Sequence, residues 1–289
     1  MPIIIVTSNQ PGEGKTGVAA AIARHYAYLG RPVRLVRAGG EVGRAVDDAL
    51  WFGRLSFAPG SPSEPAAGAI ADPGADTVVV AEASASAATA VPGAKIVRVA
   101  KGAAPAAVPS GTAAVVVTRV PQADLAAMPE AIGDVPVVAL AEDRILAGFS
   151  IAEAKALLDA ETLLAGDGRD PTCDHLVISP ISADAGQPHF RRFPAKAVVV
   201  RFDRTDQHLA ALRGGPECLI LTGGRMPSSN ALDAAGSQGV PVLLSGADTA
   251  TTVKKLETLH ENPRFRGERK LDRMADLLEP SKLWEALGL

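Results

Sequence analysis

Aromatic residues are scarce in this chain: 2 Trp, 2 Tyr and 7 Phe, only 4% of its 289 residues. That leaves little material for a platform on which single-stranded nucleic acid could stack. Positive charge is not in excess either, with 29 Lys and Arg against 32 Asp and Glu, a formal net charge of −3. Capture of a phosphate backbone needs the opposite balance, so nucleic acid is not an expected partner. Cysteine is nearly absent, and Cys173 and Cys218 form no CxxC pair and are too few for a disulfide framework. The five histidines show no HxxxH or HExxH spacing, which excludes the common zinc sites. No apolar run approaches the roughly 20 residues of a membrane span. The first ten residues lack the basic segment of a signal peptide. A cytoplasmic protein with no membrane partner is expected.

Hydrophobic residues reach 47% and charged residues 21%, enough apolar material for a sizeable core built from Ala, Val, Leu and Ile. Short apolar runs at 3–7, 33–36, 77–81, 95–99, 114–118 and 135–140 are mostly continuous, not alternating. Such runs suit parallel strands covered on both faces. Helices are expected at 16–29 and 44–52, and Pro/Gly/Ala/Ser-rich loops at 58–75 and 102–112. Near residue 150 the pattern restarts. Ser150-Ile151-Ala152-Glu153 has the form of a capping box and opens a helix to about residue 160. After a turn-rich stretch at 166–171, strands at 176–181, 197–201, 218–221 and 240–244 alternate with helices at 205–212, 229–238 and 248–259. The basic residues Arg264, Arg266, Arg269, Lys270 and Arg273 precede the apolar Leu277, Leu278, Leu283, Trp284 and Leu287. This tail reads either as a solvated helix followed by a docked one or as a partner-binding segment. The resulting division is 1–145, 146–262 and a helical tail over 263–289.

One motif stands above background: Ser8-Asn9-Gln10-Pro11-Gly12-Glu13-Gly14-Lys15-Thr16, after an apolar strand and at the start of a helix. This is the setting of a phosphate-binding P-loop. Loop amides and a helix N-terminus point at the phosphates, and the helix dipole adds positive potential. Gly12 and Gly14 permit close backbone approach. Lys15 reaches the outer phosphates, and the Thr16 hydroxyl can ligate Mg²⁺. Asn9 stands where the usual pattern has Gly, and Asn tolerates unusual backbone angles. Asn9, Gly12, Glu13, Gly14, Lys15 and Thr16 are therefore the expected nucleotide-binding residues, for ATP or GTP with Mg²⁺. Two acids are candidate metal ligands beside Thr16. Glu82 ends the strand Thr77-Val78-Val79-Val80-Ala81, at the carboxyl end where ligands bind in such sheets, and Asp48 lies on the second helix.

The loop is similar to those of bacterial tyrosine kinases and MinD/ParA-type ATPases, but Gln10 replaces the early lysine of the latter. The former carry an acid where Leu35-Val36-Arg37-Ala38-Gly39 has none. A broader resemblance covers nearly the whole chain. The P-loop, Leu35-Val36-Arg37, Asp48-Ala49, Val80-Ala81-Glu82, Val117-Thr118-Arg119-Val120-Pro121 and Ala141-Glu142-Asp143-Arg144 run in the order of a dethiobiotin-synthetase-like domain. The version it resembles stands at the N-terminus of long bacterial phosphotransacetylases. The second half resembles a DRTGG domain, through Asp203-Arg204-Thr205, Leu221-Thr222-Gly223-Gly224, Gly239-Val240-Pro241-Val242-Leu243-Leu244 and Asp248-Thr249. The implied fold is α/β: a mostly parallel P-loop NTPase-type sheet with helices on both faces, then a smaller α/β DRTGG-like domain.

The resemblance implies nucleotide binding with a regulatory or sensing role and a homodimer formed through the DRTGG-like domain. It also places Arg37 where the synthetases have a lysine, and so among the nucleotide-binding residues. Thr118 stands in place of a base-contacting Asn, and Glu82-Ala83-Ser84-Ala85-Ser86 in place of a Gly-rich substrate loop. The phosphate half of a synthetase site is kept while the substrate half is altered, and these 289 residues are not expected to transfer acetyl groups by themselves. Three functions stay open: a nucleotide-binding regulator with or without slow hydrolysis, an ATP-dependent ligase acting on a small acid, and an interaction protein with a relict P-loop. In the second half Asp203 and Thr205 either cap a helix or present its N-terminus to an anion.

Overall fold

The computed structural model describes residues 3–39, 43–66, 77–84, 91–168, 171–180 and 186–289. Much of the expected 58–75 loop, residues 85 and 86 of the altered substrate loop, and residues 169–170 of the turn-rich stretch lie outside the described residues. Two compact units emerge: residues 1–143 with 268–289, and residues 144–267. The tail set apart from 263 in the sequence thus belongs, from Glu268 onward, to the first unit.

The first unit is built on β1 (Ile3–Ser8), α1 (Lys15–Tyr28), β2 (Val33–Ala38), α2 (Arg44–Phe52), β3 (Val78–Ser84), β4 (Lys95–Lys101), β5 (Thr112–Val120), β6 (Ala131–Ile132) and β7 (Val135–Ala141). The strands form one sheet in the order β2-β3-β1-β4-β5-β7-β6. All neighbours are parallel except the two-residue edge strand β6. Ile4, Ile5 and Val6 are fully buried, as are Val78, Val80, Ala81 and the run 114–117. Continuous apolar runs therefore do mark strands covered on both faces. α1 packs across β1, β2 and β3 through an almost wholly apolar surface, including Val18, Ala19, Ile22 and Ala23.

In the second unit the chain runs through α3 (Arg144–Ala147), β8 (Phe149–Ser150), α4 (Ile151–Leu158), β9 (Glu161–Leu164), β10 (Thr172–Cys173), β11 (His175–Ile178), α5 (Gly186–Arg191), β12 (Lys196–Arg201), α6 (Thr205–Arg213), β13 (Cys218–Thr222), α7 (Ser229–Ser237), β14 (Val242–Leu244) and α8 (Thr249–Glu261). Its sheet runs β11-β12-β13-β14-β9, parallel except for β9 at the edge. The Ser150 hydroxyl accepts from the Glu153 amide at 3.2 Å and the Glu153 carboxylate accepts from the Ser150 amide at 2.8 Å, a complete capping box. Cys173 and Cys218 are buried thiols in the core.

Two helices then return the chain to the first unit, α9 (Glu268–Leu278) and α10 (Leu283–Ala286). α9 lies along α1, where Arg24 pairs with Asp272. Trp284 stacks on His25 with ring centroids 3.7 Å apart, and Arg273 Nε donates to Asp143 at 2.7 Å. Among the described residues no helix is long and apolar enough to cross a membrane.

Candidate functional site

Residues 9–14 leave the buried carboxyl end of β1 and turn into α1. Gly12 and Gly14 take φ of +79° and +100°, left-handed values at which an L side chain is strained. Gly14 is the N-cap of α1 and has no side chain to cap it. The first-turn amides of a helix have no intrahelical acceptor, and no side chain of the N-cap residue serves them here. Lys15 Nζ folds back over the loop, donating to Ser8 Oγ at 2.7 Å and reaching the Gln10 carbonyl at 3.4 Å. Ser8 Oγ in turn donates to that carbonyl at 2.6 Å. Glu13 turns inward along the loop, its carboxylate accepting from the Gln10 amide at 3.1 Å.

Two contacts from distant strands brace this loop. Thr118 on β5 donates its hydroxyl to the Glu13 carbonyl at 2.7 Å, and its methyl group would stand 3.2 Å from any Cβ placed on Gly14. Arg98 on β4 donates to the Asn9 side-chain carbonyl at 3.0 Å. Asn9 is not among the described non-glycine residues with positive φ, which are Arg119, Asp159 and Ala195. Tolerance of unusual backbone angles is thus not why Asn serves here. Its amide oxygen anchors the start of the loop to β4. Thr118 has no base-contacting posture either, since its hydroxyl is committed to loop and strand carbonyls.

Beside the loop, four charged side chains meet. Arg37 and Glu82 face each other directly in the parallel register of β2 and β3. Arg37 Nη1 lies 2.6 Å from Glu82 Oε1, and Arg37 Nε stands 3.9 Å from Asp48 Oδ2 on α2. The second separation is an ion pair without a hydrogen bond. Arg37 and Glu82 are both buried, at 8% and 2% exposure. Burial pushes the Glu82 carboxyl up to about 7, opposed by the nearby Arg37 guanidinium. The Thr16 side chain and the Lys15 ammonium also help to hold that carboxyl charged. Burial lowers the Lys15 ammonium below its ordinary value, against the pull of Glu82. The structure therefore brings Lys15, Thr16, Arg37, Asp48 and Glu82 into one electrostatic cluster at the strand ends. Among the described residues no three His, Cys, Asp or Glu side chains converge as a metal-binding group.

In the second unit the highlighted polar residues gather at the carboxyl ends of β12, β13 and β14. Thr222 and Thr249 share a hydrogen bond of 2.7 Å, and Thr205 donates to Ser228 at 3.0 Å. The Gly223 and Gly224 amides donate to the carbonyls of Ala247 and Ser245. Asp203 pairs with Arg201 at 2.9 Å, while the N-cap of α6 is Arg204, with no side-chain cap bond. Asp203 and Thr205 therefore do not cap that helix. The cap in this region is Asp248, whose carboxylate accepts from the Thr251 amide at 2.7 Å at the start of α8.

Sequence reasoning missed Arg98 and the bracing role of Thr118. A charged residue inside the apolar run 95–99 was the available signal for the first, because a buried strand keeps a guanidinium only where something accepts from it.

A solved structure similar to this chain contains the CBS and DRTGG domains of the regulatory region of Clostridium perfringens pyrophosphatase, complexed with the activator diadenosine tetraphosphate. The match is 19% identical, has a TM-score of 0.35 and covers 41% of this chain. The matched part spans 51% of that other chain, about half its length. The DRTGG domain family matches residues 153–259, within the second unit. This chain carries a DRTGG domain.

Proposed function

We propose that the first unit binds the phosphates of a nucleotide, ATP or GTP, on residues 9–16, and that the protein is a regulator in which this occupancy is the signal. The observation that carries the reading is the Lys15 ammonium held over the uncapped N-terminus of α1 by Ser8 and Gln10. A lysine poised above outward-facing amides is a device for holding phosphate oxygens. The regulatory half of the proposal draws on the DRTGG domain in the second unit. Homodimerisation through that domain belongs to the same proposal.

Thr16, Asp48 and Glu82 do not fit Mg²⁺ in this arrangement. The Arg37 guanidinium stands between the two carboxylates and already occupies Glu82 Oε1. Mg²⁺ demands near-ideal octahedral oxygen coordination at about 2.0–2.1 Å, and a dication drawn to the buried, unpartnered Glu82 Oε2 would stand against the guanidinium that holds Oε1 of the same carboxylate. The proposal therefore rests on the loop amides and Lys15.

The test is thermal unfolding with and without ATP, GTP and ADP, on the native chain and on Lys15→Ala. A ligand at about 100 times its dissociation constant adds roughly 2.7 kcal/mol of stability. The expected result is a nucleotide-dependent rise in the native chain that disappears in Lys15→Ala. Absence of any rise at millimolar nucleotide overturns the reading. The increment and not the baseline is decisive, because Lys15 also supports its own loop.

A further inference from the structure

We propose that the Arg37 guanidinium is the resident cation of the Asp48–Glu82 carboxylate pair, so that this site takes phosphate without a divalent metal. The inference rests on the phosphate-site reading for what the cluster serves. It is argued from the placement of Arg37 itself.

Three observations carry it. Arg37 and Glu82 are register partners on adjacent parallel strands, so their pairing is built into the sheet and does not depend on a mobile loop. The guanidinium reaches both acids from one position, 2.6 Å from Glu82 and 3.9 Å from Asp48, and is only 8% exposed. Finally, arginine keeps its charge at any working pH. A lysine could yield its proton and let a metal share the carboxylates, whereas Arg37 must be displaced whole from a buried seat. A dication bound between Asp48 and Glu82 would otherwise stand against a guanidinium in a low-dielectric setting, where like charges repel strongly. Lys15 adds a second cation close enough to act on the same acids. Arg37 is thus a specificity-determining residue. It sets the site for an anionic ligand that arrives without its metal.

The experiment is a titration of the protein with Mn²⁺ alone, read by the electron paramagnetic resonance signal of free Mn²⁺. It uses the native chain, Arg37→Gln, and Arg37→Gln combined with Glu82→Gln. In parallel, ATP binding to the native chain is measured in Mg²⁺ and in excess EDTA. The native chain is expected to leave the Mn²⁺ signal unchanged. Arg37→Gln is expected to bind one Mn²⁺ at least about tenfold more tightly, and the added Glu82→Gln to remove that binding. ATP affinity of the native chain should agree within about threefold between the two buffers, under 1 kcal/mol of difference. Stoichiometric Mn²⁺ binding by the native chain overturns the inference. So does a folded Arg37→Gln that gains no site, or ATP affinity that falls about tenfold or more in EDTA. If Arg37→Gln does not fold, judged by circular dichroism, the two native-chain measurements decide. Failure of ATP to bind in either buffer overturns the nucleotide reading instead, and the Mn²⁺ result on the native chain still decides this one.

Discussion

Thr118 on β5 holds the carbonyl of Glu13, in the loop between β1 and α1, at 2.7 Å, across 105 residues of sequence. Its hydroxyl also reaches the Ala100 carbonyl at 3.3 Å, so one side chain ties the loop to two neighbouring strands. Thr118→Val keeps the shape and removes the donor. Losing a part-buried hydrogen bond of this kind costs about 0.5–1.5 kcal/mol. Urea unfolding of the variant should show that loss, with nucleotide-dependent stabilisation reduced as the loop loosens. An unchanged midpoint would mean the bond contributes nothing.

Gly12 and Gly14 both sit at positive φ, but only Gly14 is crowded. A Cβ there would stand 3.2 Å from the Thr118 methyl, whereas one on Gly12 meets nothing within 4 Å. Left-handed strain costs an alanine about 1–2 kcal/mol at either position. Gly14→Ala must also push Thr118 aside, so it is expected to be the more destabilising of the two and the more damaging to nucleotide binding. Equal unfolding midpoints for the two variants would contradict the packing described.

Glu82 gives the first unit a pH dependence of definite sign. Its carboxyl is raised from 4.5 to about 7 by burial. Between those values the folded protein holds a proton that the unfolded chain has released. Stability from this group is therefore complete below about pH 4.5 and falls as pH rises through 7, by at most about 1.4 kcal/mol per pH unit. Glu82→Gln removes the titration, while the lowered histidines His25 and His208 remain in both proteins. The stability of native chain minus variant, measured from pH 4.5 to 8, should decline across that window. A flat difference would refute the assignment.

The Ser150–Glu153 capping box predicts a local effect in the second unit. Ser150→Ala leaves the start of α4 with an unserved amide, a loss of about 1 kcal/mol. Hydrogen exchange should accelerate first in residues 151–158. Acceleration spread evenly over both units would argue against an independent cap.

Much of this was legible because it is written in short-range pattern. Continuous apolar runs located the parallel strands of both sheets, and the glycine-lysine spacing placed the loop between β1 and α1. What escaped was long-range. Arg98 reaching Asn9, and Thr118 reaching Glu13, depend on β4 lying beside β1 and β5 beyond it, an order that no local spacing encodes. The antiparallel edge strand β9 was missed because Glu161-Thr162-Leu163-Leu164 has neither alternation nor length to announce it. Arg37, Asp48 and Glu82 were each singled out in sequence. That the guanidinium would stand between the two acids follows from the register of β2 and β3.

The first unit is assembled from residues on either side of the second, with α9 and α10 supplying the cover for α1. During synthesis α1 therefore emerges long before the helices that shield it. Its partners for Arg24 and His25, namely Asp272 and Trp284, appear only after the whole second unit has been made. The first unit is thus begun before the second and completed after it. A ribosome stalled anywhere in residues 144–267 holds α1 with one flank still bare.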